Sequence, residues 1–256
     1  MKTQSTDELV AFCSQLADVS GQIIRRYYRT DYTIDTKHDA SPVTIADREA
    51  ELAMRSLIAE HYPEHGVLGE EFGHHQPDAA YQWVLDPIDG TKNFISHSYL
   101  FGTLIALLHN GQPLLGVIHH PVTGDLMVGD GHQTRLNGKP VQVRPCACIG
   151  DALLLASDHW TAGEYQNADS YTNLVSQVKM YRTWGDCHGY LLVASGGADI
   201  MCDPVMAPWD LLALIPVIRG AGGTITDWHG ADPVRGSSAV ATAGGVHDEV
   251  IRLING

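Results

Sequence analysis

The apolar residues of this chain keep a helical period up to about position 62 and then abandon it. Leu9, Phe12, Cys13, Leu16, Val19, Ile23 and Tyr27 recur three and four apart, which predicts a helix over 6–28 capped by Ser5 or Thr6. A second helix is predicted over 44–62, with Leu52, Leu57 and Ile58 apolar and Pro63 beyond its end. The loop Ser41-Pro42-Val43-Thr44 delivers Asp47 into its first turns. After residue 66 short strand-like runs take over: Val67-Leu68-Gly69-Glu70, then Gln82-Trp83-Val84-Leu85, then 101–108 and 113–119. Asn110-Gly111 is a hairpin signal, and Asn137-Gly138 repeats it between Thr134-Arg135-Leu136 and Val141-Gln142-Val143. A further turn is expected at Pro121-Val122-Thr123-Gly124-Asp125. Helices followed by an antiparallel meander are the signature of an α+β fold.

The last hundred or so residues alternate instead. Strands are predicted at Ala152–Ala156, Val178–Tyr181, Ile200–Cys202, Thr224–Asp227 and Ala239–Thr242, with helices over 165–177, 186–196, 209–221 and 246–254. The expected organisation is therefore an N-terminal α+β half, 1–147, and a C-terminal α/β half, 148–256, packed as one unit.

A hydrophobic fraction of 44% in 256 residues supports a real core. The net charge of −14 argues against nucleic acid or an anionic membrane as partner. It leaves room for an anionic small substrate beside a bound cation. Five scattered cysteines imply reduced thiols and a cytoplasmic setting. Met1 to Glu8 has no apolar signal core, and no apolar run is long enough to span a bilayer. His74-His75 and His119-His120 adjoin turn residues and read as solvated loop or strand-end side chains.

The chemistry concentrates in Asp86-Pro87-Ile88-Asp89-Gly90-Thr91, which follows the apolar run Trp83-Val84-Leu85. Carboxylates at the end of a buried strand are costly unless something positive neutralises them. A hard divalent cation such as Mg²⁺, which takes oxygen ligands, is the simplest neutraliser. Gly90 and Thr91 add backbone N–H groups and a hydroxyl on the same turn, a set suited to a phosphate.

Three further segments complete a pattern: Gly69-Glu70-Glu71-Phe72-Gly73, Trp209-Asp210 after Pro208, and Ala221-Gly222-Gly223. In this order and spacing they resemble the inositol monophosphatase superfamily of Mg²⁺-dependent phosphomonoesterases, over nearly the whole chain. The resemblance implies a layered α-β-α-β-α sandwich of the inositol monophosphatase/fructose-1,6-bisphosphatase type, two to three Mg²⁺ ions and a homodimer. It implies that Glu70, Asp86 and the carbonyl of Ile88 hold one ion, and Asp86, Asp89 and Asp210 a second. Glu70 also serves a third, weaker ion. Gly90 and Thr91 contact the phosphate, while Asp47 and Thr91 orient and deprotonate the attacking water. Each position has a plainer role: Asp210 or Thr91 as helix caps, Asp47 as a first-turn acid, Glu71 as a solvated turn residue.

The leaving-group pocket is drawn from Arg182, Gly185, Asp186 and Asp203, with Asp89 and Asp210 at its edge. The stretch from Arg182 to Ala194 and Met201-Cys202-Asp203-Pro204 look more like the histidinol-phosphatase branch than the inositol branch. Asp186 and Asp203 suit a cationic leaving group better than a neutral polyol. Arg182 is expected to hold the phosphate or orient Asp186. Asp186 as a helix N-cap and Asp203 as a turn residue before Pro204 are the plainer roles. His188 stands where the branch often has Tyr, and Gly220 where it usually has an acidic residue. The leading expectation is a histidinol-phosphate phosphatase. The alternatives are an inositol monophosphatase or broad sugar-phosphate phosphatase and, more remotely, a silent metal- or phosphate-binding regulator, which would have lost a ligand.

Overall fold

The computed structural model describes residues 5–36 and 42–256. Helix α1 (Thr6–Tyr27) opens on a capping box: Ser5 Oγ accepts the Glu8 N–H at 3.2 Å, and Glu8 Oε2 accepts the Ser5 N–H at 3.0 Å. Ser41 lies outside the described residues. Pro42–Thr44, expected as loop, form a short strand β2 paired antiparallel with β1 (Ile34–Thr36). Thr44 then caps α2 (Ile45–His61). The buried face of α2 differs from expectation: Leu52 is 49% exposed, while Asp47, Ala50, Glu51, Met54 and Ile58 are buried. Two carboxylates inside a helix face must have partners, and both have them.

The large sheet follows: β3 (Gly66–Gly69), β4 (Gly73–His75), β5 (Tyr81–Asp89), β6 (Gly102–His109), β7 (Gln112–His120), β8 (Asp125–Gly129), β9 (Thr134–Leu136) and β10 (Lys139–Val141), with α3 (Thr91–Ile95) after β5. Its order is β10-β9-β8-β7-β6-β5-β3-β4. Every neighbouring pair is antiparallel except β3 and β5, which run parallel. The return strand β10 starts at Lys139 rather than at Val141. Asn137 and Gly138 take φ of 52° and 76°, a tight two-residue turn that leaves no slack before pairing resumes.

The second sheet and its helices are β11 (Leu153–Ala156), α4 (Thr161–Tyr165), α5 (Ala168–Gln177), β12 (Met180–Arg182), α6 (Asp186–Ala194), β13 (Ile200–Asp203), α7 (Pro208–Leu211), α8 (Leu214–Gly220), β14 (Thr224–Thr226), β15 (Ala239–Thr242) and α9 (His247–Ile254). The sheet order is β12-β11-β13-β15-β14. The helix expected over 209–221 is divided into α7 and α8. Pro216 explains the break: it has no N–H for the Leu212 carbonyl, and its ring crowds that carbonyl. The helix expected over 165–177 starts later because Asn167 caps α5, accepting the Ser170 N–H at 3.0 Å.

Strand alternation sorts the core into layers. Trp83 and Leu85 of β5, with Ile105 and Leu107 of β6, pack on α1 and α2. Val84, Leu104, Ala106 and Leu108 face the other way, onto α6 and α8. Leu153 and Leu155 of β11 pack on that same helix layer from the second sheet, while Leu154 and Ala156 join α5 and α9 behind it. The result is an α-β-α-β-α sandwich, with α7 and the end of β5 meeting between the sheets. His74 and His75 are exposed, but His119 and His120 are buried at 5% and 3% exposure, contrary to expectation. Burial holds the His119 ring down at about 4.

Candidate active site

Asp86 and Asp89 are three residues apart, so in a regular strand they would point to opposite faces of the sheet. The β5–β6 register changes between them: Asp86 pairs with Leu104, but Asp89 pairs with Gly102. Three steps on β5 match two on β6, a bulge that restores both carboxylates to one side. Pro87 fits a bulge because it offers no N–H to the ladder. Its carbonyl accepts Thr103 Oγ1 at 2.8 Å, which pins the irregularity. Asp210 arrives from the first turn of α7, and the carboxylate oxygens of Asp86, Asp89 and Asp210 lie within 4.8 Å of one another.

Glu70 joins them through the parallel β3–β5 pair. Gly69 is in register with Leu85, and the Glu70 N–H donates to the Leu85 carbonyl at 3.1 Å. Glu70 and Asp86 therefore leave adjacent strands side by side. Their charges interact: burial first, then Glu70, Asp89 and Asp210, push the Asp86 carboxyl well above the carboxylate range. Burial and then Asp186 and Asp210 do the same to Asp89. Burial lifts Asp210 to about 7, against the pull of its hydrogen bond from the Ala207 N–H at 2.8 Å. Asp210 is the third residue of its helix rather than its N-cap, which is Ala207.

This donor set fits a hard cation. Asp86 Oδ1 is buried with no hydrogen-bond partner among the described residues, and the cluster is all oxygen. A cation removes both the repulsion and the unsatisfied atom at once.

Asp47 sits on the buried face of α2. Its Oδ2 accepts the Thr44 N–H at 2.8 Å and the Thr44 hydroxyl at 2.6 Å, so it does complete a cap. Burial nonetheless raises it to about 7, with Glu71 and Glu70 adding to the rise. Gly90, at φ 84°, is the N-cap of α3, and Thr91 is its first residue. Thr91 Oγ1 donates to the Ile88 carbonyl at 3.0 Å.

An open cleft adjoins the cluster. Asp89, Asp158, Asp186, Asp203 and Asp210 line it with Ser157, Thr161 and the 204–206 segment, and no Lys or Arg is among the described residues that line it. Asp186 begins α6 with Gly185 as its N-cap, takes φ 50°, and accepts Asn93 Nδ2 at 2.7 Å. A side chain on Gly90 would come within 2.7 Å of Asp186 Oδ2, so this carboxylate lies directly on the Gly90 turn. Asp203 ends β13 and is buried. The Tyr190 hydroxyl donates to it at 2.9 Å, and burial raises it to about 6. Arg182 is not brought here: it is exposed, donates to the Tyr181 carbonyl and faces the Trp184 ring. Its place at the end of an edge strand carries it outward. The Ser157–Thr161 wall was not anticipated from the sequence, which carries no motif there.

The sequence model of the inositol monophosphatase family matches residues 5–255. The chain belongs to this family of phosphatases. A histidinol-phosphatase of Mycobacterium tuberculosis is 38% identical over 247 residues, 94% of this chain and 95% of that protein. A bifunctional phosphatase IMPL2, chloroplastic, of Arabidopsis thaliana is 45% identical over 243 residues, 93% of this chain and 70% of that protein. The solved structure of an inositol monophosphatase from Zymomonas mobilis superposes with a TM-score of 0.88 at 34% identity, covering 98% of this chain and 99% of that one. The acidic cluster thus lies in a fold whose family is metal-dependent.

Proposed function

We propose that this member of the inositol monophosphatase family hydrolyses histidinol phosphate to histidinol and phosphate. The observation that carries the reading is the cleft beside the acidic cluster, lined by carboxylates and, among the described residues, by no Lys or Arg. A neutral polyol can donate hydroxyls to such a wall, whereas the ammonium and the protonated imidazole of histidinol phosphate add charge attraction to the same hydrogen bonds. The name of the Mycobacterium relative agrees with this reading.

Glu70, Asp86, the Ile88 carbonyl, Asp89 and Asp210 are the residues that would hold Mg²⁺, which supplies charge neutralisation for the phosphate and a more acidic water. Gly90 and Thr91 orient the phosphate through their N–H groups. Asp47 accepts the proton of the attacking water, and Thr91 orients that water. Asp47 is suited to the role because its burial puts it near neutrality. Asp203, held by Tyr190, and Asp186, held by Asn93, receive the cationic leaving group on rigid supports. Reaction is displacement by water with no phosphoenzyme, and the protein's part is positioning and electrostatics. A cytoplasmic homodimer belongs to the same proposal.

A second reading, a broader phosphomonoesterase that includes inositol phosphates, draws on the Zymomonas neighbour and on the bifunctional relative. Comparing kcat/KM with Mg²⁺ for histidinol phosphate and inositol 1-phosphate separates the two. Histidinol phosphate should be preferred, and Asp203→Asn should erase most of that preference. Equal rates on both substrates in the unaltered enzyme would refute the histidinol reading while leaving the phosphatase.

A further inference from the structure

The buried stripe of α2 carries Asp47, Glu51 and Arg55 at successive intervals of four, so all three lie on one face. Only Asp47 has a part in the chemistry described above. Glu51 is fully buried, yet it is neither near the leaving-group cleft nor in the acidic cluster. Its partners explain its presence. Oε2 accepts the Glu71 N–H at 2.8 Å, and Oε1 accepts the Phe72 N–H at 3.2 Å and Arg55 Nε at 2.7 Å. Arg55 Nη2 in turn donates to the Gly73 carbonyl. One carboxylate therefore holds the two peptide groups that follow Glu70, and one guanidinium closes the far limb of the same turn.

The near limb is fixed as well. A side chain at Gly69 would collide with Glu51 Oε1, so the carboxylate packs against bare backbone there. The Glu70 N–H is bound to the Leu85 carbonyl, next to Asp86. Glu70 is thus a single residue between a strand-paired N–H on one side and two clamped N–H groups on the other. Rotation of its backbone, which would swing its carboxylate away from Asp86, breaks one set or the other.

We infer that Glu51 and Arg55 are positioning residues for Glu70, and that they set the divalent-cation affinity of the site without touching a cation. The inference rests on the reading of Glu70 as a ligand. Groups that orient metal ligands through a hydrogen bond typically govern affinity by about 10–100-fold. Arg55 cannot be replaced by Lys without loss, because an ammonium cannot present the planar fork that spans Glu51 and Gly73.

The test is Mn²⁺ binding to the metal-stripped full-length protein, followed by electron paramagnetic resonance without substrate, with Mn²⁺ standing in for Mg²⁺. Glu51→Gln places a donor where a second acceptor is needed and should weaken binding by about 10-fold or more. Arg55→Lys should weaken it by several-fold, to roughly the lower end of that range. In turnover assays the Mg²⁺ concentration for half-maximal rate should rise for both, with kcat at saturating Mg²⁺ close to that of the unaltered enzyme. A merely structural role would lower thermal stability and leave the affinity of the folded fraction unchanged. A folded Glu51→Gln protein that binds Mn²⁺ as tightly as the unaltered one overturns the inference. Should Glu51→Gln fail to fold, Arg55→Lys, which keeps the charge, decides by the same criterion. Glu70→Gln is the control. If it alone loses affinity, the clamp is wrong and the metal reading stands; if it binds normally, both fall.

Discussion

Replacing Asp47 by Asn tests whether burial at the active site costs the fold what the structure implies. Asp47 is 1% exposed, and burial carries its carboxyl from 3.8 to about 7. Because the folded value lies above the unfolded one, the group favours the folded state fully below the unfolded value. That contribution is lost as the pH rises to about 7. The loss is about 1.4 kcal/mol per pH unit in mid-window and half that as the pH reaches the folded value, or about 2 kcal/mol between pH 5 and pH 7. The substituted amide does not titrate, and its carbonyl oxygen still accepts from the Thr44 N–H and hydroxyl, so the helix cap survives. His119 and His188, whose rings burial holds down at about 4, act with the opposite sign in the lower part of this window but are common to both proteins. The difference between variant and parent therefore isolates Asp47. Calorimetric unfolding in chelator at pH 5 and pH 7 should show the variant gaining on the parent by about 2 kcal/mol, at roughly 2–4 °C per kcal/mol in a domain of this size. A difference that stays flat, or that shrinks toward pH 7, would show that Asp47 is ionised in the folded protein at no cost. Its role as a base poised near neutrality would then fall.

Two other substitutions probe separate parts of the fold. Thr91→Ala removes the hydroxyl bound to the Ile88 carbonyl and should lower kcat more than it raises KM, whereas an effect confined to KM would make Thr91 a binding residue only. Asp199 is 2% exposed, accepts the Leu153 N–H at 2.7 Å and pairs with the part-exposed Arg144, so Asp199→Ala, which strands that N–H, should cost roughly 1–3 kcal/mol in urea unfolding, and an unchanged stability would contradict that role.

The acidic motifs were legible because they are local. Asp86-Pro87-Ile88-Asp89 follows an apolar strand, and Asp210 follows Pro208 at a helix start, so each carries its own sign of being inward. Glu51 left no such sign. A glutamate inside Asp47-Arg48-Glu49-Ala50-Glu51 reads as solvated helix surface, and Leu52 beside it looks like the core position. The structure reverses the two because the peptide groups after Glu70 need an acceptor, and Glu51 is the side chain that reaches them. Arg182 failed in the opposite sense. A cation near a phosphate site is chemically attractive, but an edge strand directs it to solvent.

By itself the sequence determined the kinds and order of most elements, though not their ends, since helical and alternating apolar periods and Asn-Gly turns act within a few residues. It also determined that a family of metal-dependent phosphatases was the place to look. The site was decided only by tertiary structure. A one-residue bulge at Pro87 brings Asp86 and Asp89 to the same side, and a parallel strand pair sets Glu70 beside Asp86. The packing of α7 against β5 lets Asp210 meet them from the far half of the chain. Each of these depends on groups distant in sequence satisfying one another's charge and hydrogen bonds. Periodicity reports which side chains avoid water, but not which buried polar groups find each other.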